Sequence, residues 1–319
     1  MQAITKRSIT GEGNGIIQVP QPIPKTGELL IEIAASGVNR LDLNRVAAGT
    51  ADLILGVEVA GVVLENHSTD PHFVPGTRVA GIVDAGGYAQ QVCLPAKQAL
   101  LIPESMTYVD AAAIPENYLT AYQALIWLAN LQVGETVLVH AGASGVGLAA
   151  IQLAKTLKRA KVIATASPRK HAACYAAGAD LVINYQTTDF ATAVHDYDAH
   201  GADVILDFIG ASYFQQNLTC AAVDGRHILI STLGGNQVEH FDLRLIADKR
   251  LSLIGTLLSP RSNAYKAALT QAFAAATTRL FTTGQLKPVI DSYFDFANTK
   301  AALEYMAANR NIGKIILTH

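Results

Sequence analysis

The sequence predicts an α/β protein in two parts, a β-rich barrel-like domain followed by a doubly wound parallel sheet, and two patterns in the chain carry that prediction. Up to about residue 115, short alternating apolar runs (Glu28 to Ala34, Val57 to Leu64, Thr77 to Val83, Tyr88 to Leu94) are broken by Gly and Pro, the punctuation of strands joined by tight turns. From Tyr118 onward six strand-like runs alternate with Ala-rich helical segments: Thr136 to His140, Lys161 to Ala166, Leu181 to Asn184, Asp203 to Phe208, His227 to Ser231 and Leu251 to Gly255. Such alternation is how parallel strands are connected, because each crossover needs a helix.

After about residue 257 come a helical stretch (Ala264 to Phe281), the segment KPVIDSYFDF, a second helix near Thr299 to Ala308, and a last strand, GKIILT. Two added strands would close a barrel edge left open by the N-terminal part, so the tail is expected to return there. The expected domains are therefore residues 1–117 completed by 258–319, and residues 118–257. No internal repeat, low-complexity tract or linker interrupts them.

With 319 residues, half of them apolar, the chain can bury a sizeable core. Charged residues make up 16%, the formal net charge is -2, and no block of five like charges occurs. Neither nucleic acid nor a membrane surface is an expected partner on those grounds; a solvent-borne small molecule is. The start, MQAITKRSIT, lacks the apolar stretch of a secretory signal, and no run approaches the ~18 residues that span a bilayer. A cytoplasmic protein is expected. Cys93, Cys174 and Cys220 lie far apart and in no C-x-x-C spacing, which argues against a disulfide framework or a structural zinc cluster.

The strongest local signal is TVLVHAGASGVGLAAIQLAKTLK, residues 136–158, where Gly145, Gly147 and Ala150 satisfy G-x-G-x-x-A between an apolar strand and a helix. Gly145 is expected to make the tight turn. Gly147 would let a pyrophosphate approach the backbone, and Ala150 would let helix and strand pack closely. The helix N-terminus offers amide N–H groups and a positive dipole end to the phosphates. An NAD enzyme places Asp or Glu at the end of the second strand, about 20 residues beyond the first glycine, to bind the ribose 2′-hydroxyl. This chain has ATASPRKH there, with Ser167, Arg169 and Lys170. A hydroxyl and two cations suit a 2′-phosphate, so NADPH is favoured over NADH.

With those residues placed, the chain resembles the zinc-free quinone oxidoreductases of the medium-chain dehydrogenase/reductase superfamily, the zeta-crystallin-like group, over essentially its whole length. The likeness is carried by the ordered blocks AASGVNRLDLNR (34–45), LGVEVAGVV (55–63), PGTRVAGIVDAGGYAQQV (75–92), AAAIPENYLTAYQAL (111–125), HAGASGVGLAAIQLAK (140–155), LDFIGASYF (206–214) and NRNIGKIIL (309–317). The resemblance implies a GroES-like β-barrel catalytic domain, a Rossmann domain, and a cofactor cleft where they meet. It implies Asn39 and Thr120 near the nicotinamide, and Ser144, Gly145, Val146 and Gly147 against the pyrophosphate. Ser167, Lys170 and Tyr185 fall at the 2′-phosphate. Leu233 and Gly234, Leu258, and Asn309 or Asn311 fall where such enzymes complete the cofactor pocket. A homodimer through the LSLIG strand is also implied, since its open edge leaves backbone groups unpaired.

Zinc-dependent relatives place a Cys, a His-Glu pair and a further ligand where this chain has Asn39, Val57 before Glu58, and Glu116. Valine cannot ligate, an amide is a poor substitute for thiolate, and hard carboxylates alone do not make a catalytic zinc site. No metal is expected. Without a Lewis acid a simple alcohol is a poor substrate, whereas a quinone or another conjugated carbonyl accepts hydride readily by delocalising the charge. Asn39 is the candidate to hydrogen-bond the acceptor oxygen. Tyr118 and Tyr122 carry hydroxyls nearby, although packing accounts for either. His67, His72 and His140 read as surface or hydrogen-bonded structural histidines. The family's longer loop, with a Tyr over the nicotinamide, is replaced by RVAAGTADLI, which has no aromatic residue, so a more open acceptor side is expected. Two other readings stand: an NADPH-dependent alkenal or enone reductase, and a non-catalytic NADPH-binding redox sensor.

Overall fold

The computed structural model describes residues 1–11 and 15–319 and divides into two compact units, Met1–Leu119 with Ser259–His319, and Thr120–Leu258. The division falls one or two residues later than the expected boundaries, and helix Pro115–Tyr122 spans the first of them.

The first unit opens with a short antiparallel pair, β1 (Gln2–Ala3) and β2 (Ile17–Gln18), flanking the one-turn helix α1 (Lys6–Thr10). Its main sheet contains β3 (Glu28–Val38), β4 (Glu58–Asn66), β5 (Arg78–Ile82), β6 (Gln91–Pro95) and β7 (Ala99–Leu101). Helix α2 (Arg40–Ala48) leaves the end of β3, and α3 (Tyr108–Ala112) and α4 (Pro115–Tyr122) follow β7. Leu29, Ile31 and Ile33 of β3 point inward with Val59 and Val63, Val79, and Val92 and Leu94, forming one apolar cluster. The two-residue side-chain period of a strand puts these positions on one face.

The second unit holds β8 (Thr136–Val139), β9 (Lys161–Ala166), β10 (Leu181–Asn184), β11 (Ala202–Asp207), β12 (Ala221–Leu229) and β13 (Ser252–Gly255), linked by α5 (Gly145–Lys158), α6 (His171–Ala176), α7 (Phe190–Tyr197), α8 (Phe214–Cys220) and α9 (Leu243–Asp248). Its strand order is β10-β9-β8-β11-β12-β13, parallel throughout. Order 3-2-1-4-5-6 reverses direction beside β8, and ligands of such sheets bind at the carboxyl ends of the strands near that reversal. All four residues of β8 are buried, as expected of a strand covered on both faces.

The tail contributes α10 (Asn263–Thr282), β14 (Ile290–Asp295), α11 (Thr299–Ala307) and β15 (Lys314–Thr318). β15 pairs antiparallel with β3, and β14 extends the sheet beyond it. Ile315 and Leu317 pack with Val38, Leu55, Tyr88 and Leu303, so the returning strands share a core with the N-terminal ones. Cys174 and Cys220 are buried, Cys93 is half-buried, and all three thiols are free. Among the described residues no helix is long and apolar enough to cross a membrane.

Candidate functional site

In the first unit, the end of β3, the start of β4, the N-terminus of α4 and the start of β15 converge on a buried polar cluster. Lys314 is 3% exposed. Its ammonium donates to Glu58 Oε1, to Asn39 Oδ1 at 2.6 Å and to Asn117 Oδ1 at 3.4 Å. Three N–H donors thus meet three acceptors, which is what a buried ammonium requires. Glu58, wholly buried, also accepts from Asn39 Nδ2 at 2.7 Å and, through Oε2, from the Glu116 backbone N–H at 2.9 Å. Gly37 is obligatory here, because a Cβ would strike the Glu58 carboxylate and come within 2.7 Å of Lys314 Cε.

Beneath this group Asp42 accepts from the backbone N–H of Asn39 (2.8 Å) and of Gly56 (3.1 Å) and from the Tyr88 hydroxyl (2.8 Å). Burial raises the Asp42 carboxyl despite those bonds and the nearby Lys314, and burial with Asp42 beside it pushes the Tyr88 hydroxyl well above its ordinary range. Glu116 is different: the residue is half-buried, and no hydrogen bond reaches its carboxyl among the described residues. Desolvation, reinforced by the charge of Glu58, pushes its carboxyl up to about 7.

This geometry corrects the role expected of Asn39. Its amide hydrogens go to Glu58 and, at 3.3 Å, to the Gly37 carbonyl, while its oxygen accepts from Lys314. It is not free to donate to an acceptor oxygen, and it positions the buried ion pair instead. In the sequence Lys314 reads as the first residue of an apolar strand. The usable signal is a cation at the inward-facing start of KIIL, which needs a buried partner. Asn309 Oδ1 accepts from Arg40 Nη2 at 2.5 Å, and Asn311 Nδ2 donates to the Gly313 carbonyl at 2.8 Å, both in the turn before β15.

In the second unit, the β8–α5 junction differs from expectation in one detail. The turn is made by Ala141, at φ 47°, and Gly142, whereas Gly145 is already the first residue of α5. Gly147 is the residue that packing demands, since a Cβ there would lie 2.5 Å from the Ala141 carbonyl oxygen and 2.6 Å from that of Gly142. Ser144 caps the helix by accepting from the Gly147 N–H at 3.0 Å. Its hydroxyl hydrogen remains to be donated, and the N–H groups of Gly145 and Val146 have no acceptor within the helix.

Ser167, Arg169 and Lys170 lie in the turn after β9, and Tyr185 directly follows β10. Because Asn184 pairs with Ala166, the register brings Ser167 and Tyr185 to the same carboxyl edge of the sheet. Tyr185 is 45% exposed, its ring 6.4 Å from that of Tyr213. Leu233 and Gly234 follow β12, held by backbone bonds to Phe208 and Ile209 at the end of β11. Leu233 is exposed and Leu258 is buried. Thr120 Oγ1 is buried without a hydrogen-bond partner among the described residues, which marks a group left for a ligand or water.

His140 is not at the surface. It is fully buried, bonded to Thr165 Oγ1 (3.0 Å) and Asn217 Oδ1 (2.7 Å), and burial lowers it to about 4. His67 and His72 are surface residues bonded to Glu65 and Asp70.

Residues 145–274 match the family described as zinc-binding dehydrogenase, and residues 25–104 match the alcohol dehydrogenase GroES-like domain. The human synaptic vesicle membrane protein VAT-1 homolog is 31% identical over 318 residues, spanning 93% of this chain and 80% of that protein. A quinone oxidoreductase-like protein 2 homolog of Nematostella vectensis is 29% identical over 300 residues, 92% of this chain and 82% of that one. A mycobacterial protein solved in complex with NADPH superposes with a TM-score of 0.86 at 27% identity, covering 100% of both chains.

A nicotinamide dinucleotide fits the residues present: a capped helix N-terminus after the first strand, a hydroxyl and two cations after the second, and an unpartnered buried hydroxyl at Thr120. Zinc does not fit. An amide, a valine and a carboxyl held near neutrality stand where the ligands would be, and Glu58 is committed to Lys314. No three His, Cys, Asp or Glu residues group to hold a metal among the described residues. By its fold and its matched domains, the chain belongs to the medium-chain dehydrogenase/reductase family.

Proposed function

We propose that this oxidoreductase uses NADPH to reduce a quinone or a similar conjugated carbonyl compound. One observation carries the reading: the carboxyl end of β9 presents Ser167, Arg169 and Lys170, with Tyr185 at the neighbouring strand end, where an NAD enzyme would present a carboxylate. A 2′-phosphate is recognised by hydroxyls and cations and repelled by an acid. The NADPH-bound mycobacterial structure supports that cofactor, and the quinone oxidoreductase-like relative supports that acceptor.

In this reading Gly145, Val146, Gly147 and Ser144 hold the pyrophosphate, Thr120 belongs to the nicotinamide end, and Leu233, Gly234 and Leu258 complete the second unit's part of the site. The bound cofactor supplies the hydride. Binding and orientation then account for most of the rate enhancement, since conjugation delocalises the incoming charge without a metal. The Lys314–Glu58–Asn39 group holds β3, β4 and β15 in fixed register beneath the N-terminus of α4. A cytoplasmic setting belongs to the same reading, supported by three unpaired thiols. So does a homodimer through β13, the edge strand of its sheet, on which Leu253 is 42% exposed. Light scattering should give twice the mass of the 319-residue chain, and a monomer would remove the dimer.

The deciding experiment measures kcat/KM for NADPH and NADH against 9,10-phenanthrenequinone, 1,4-benzoquinone and a panel of enones, with and without chelator. Turnover with NADPH and quinones, insensitive to chelator, is the expected result. Preference for enones would make the protein a carbon-carbon double-bond reductase. Tight NADPH binding with no turnover on any acceptor would make it a redox sensor.

A further inference from the structure

Within the buried cluster of the first unit, every polar side chain but one is committed. Lys314 has three acceptors, Asn39 is engaged at both ends of its amide, both oxygens of Glu58 accept, and Asp42 accepts three bonds. The exception is the Glu116 carboxyl. Its backbone N–H is anchored on Glu58 Oε2 at 2.9 Å, which fixes the backbone at the N-terminus of α4, while the residue is only half-buried and no hydrogen bond to its side chain occurs among the described residues. A carboxyl on an anchored backbone, beside the charge of Glu58 and with no hydrogen-bond partner of its own among the described residues, is left to exchange a proton with a ligand or water.

From this geometry we infer that Glu116 is a catalytic acid, the group that delivers the proton completing reduction of the acceptor. The inference rests on the NADPH-dependent reductase reading above. The acceptor receives hydride, two electrons with one hydrogen, and becomes an anion as NADPH is oxidised to NADP+. The Glu116 O–H bond breaks as the new bond to the acceptor anion forms, leaving a carboxylate, which takes its next proton from water. Charges and atoms balance: NADPH, the acceptor and one proton from solvent yield NADP+ and the doubly hydrogenated product.

The charged groups facing Glu116 explain why it holds a proton at neutrality. Glu58 on β4 and Asp42 on α2 oppose its ionisation, and Lys314 on β15 and Lys266 on α10 favour it. Two of these are already paired, Lys314 with Glu58 and Lys266 with Asp84 at 2.6 Å, so desolvation and the two carboxylates prevail and the group titrates at about 7. An acid of that strength is matched to proton transfer at physiological pH.

The test compares the full-length wild type with Glu116→Gln and Glu116→Asp by pH profiles of kcat/KM, NADPH binding, and infrared titration of carboxyl groups. Wild-type kcat/KM should fall as pH rises through about 7. Glu116→Gln should lose about 10²-fold or more in kcat, lose that limb, lose one carboxyl titrating near neutrality, and bind NADPH as before. Glu116→Asp should keep the limb. If no carboxyl titrates near neutrality, or if Glu116→Gln keeps both rate and limb, Glu116 is not the acid and the reductase reading stands. If the wild type reduces no acceptor while binding NADPH, the reductase reading falls and the acid with it.

Discussion

Replacing Lys314 by Met isolates the energetic role of the buried cluster. The change keeps the aliphatic volume but removes an ammonium that is 3% exposed and hydrogen-bonded to three acceptors. Glu58, with no exposed surface, keeps two donors and loses its counter-charge. Breaking a buried ion pair from one side costs about 3 to 5 kcal/mol, because a charge remains in a poorly polarisable interior. The orphaned oxygens of Asn39 and Asn117 place the expectation at the upper end of that range. Against a typical domain stability of about 5 to 15 kcal/mol, the variant should unfold at clearly lower urea concentration by circular dichroism. A further measurement tests the cause. Adding Glu58→Gln should recover most of the loss, since a neutral pair carries no unpaired charge. A loss below about 1 kcal/mol, or no recovery in the double variant, would show that Lys314 and Glu58 do not form the charge pair described.

Lys170→Glu should raise the dissociation constant for NADPH by about 10²-fold, the worth of a charge-assisted phosphate contact plus the new repulsion, with NADH within about twofold; fluorescence titration of both cofactors reads this, and equal losses would remove Lys170 from the 2′-phosphate. Gly147→Ala places a Cβ 2.5 Å from the Ala141 carbonyl oxygen and should cost about 1 to 3 kcal/mol, seen as a drop of several degrees in Tm, whereas an unchanged Tm would mean that the turn yields.

The nucleotide-binding end of the second unit was legible because its signals are local. Strand, turn, glycines and helix follow one another within residues 136–158, and strand β9 leads directly into Ser167, Arg169 and Lys170. Even so, the turn belongs to Ala141 and Gly142 rather than to Gly145. A glycine motif states where small residues are needed but not which of them bends the chain. The return of the tail was legible for a different reason: two amphipathic strands after a helix need a sheet edge, and the barrel had one to offer.

The buried cluster was not legible. Asn39, Glu58, Glu116 and Lys314 come from four distant segments, and only the pairing of β15 with β3 and of β3 with β4 brings three of them together. Read singly, Asn39 is a hydrogen-bond donor in search of a substrate, and Lys314 is one charge before an apolar strand. Once assembled, the donor is engaged and the charge is buried, because desolvation makes each polar group depend on the partner it finds. Residue periodicity and local motifs therefore determined the fold class and the dinucleotide signature, while hydrogen-bond saturation and the state of the Glu116 proton were decided only where sequence-distant groups left water together.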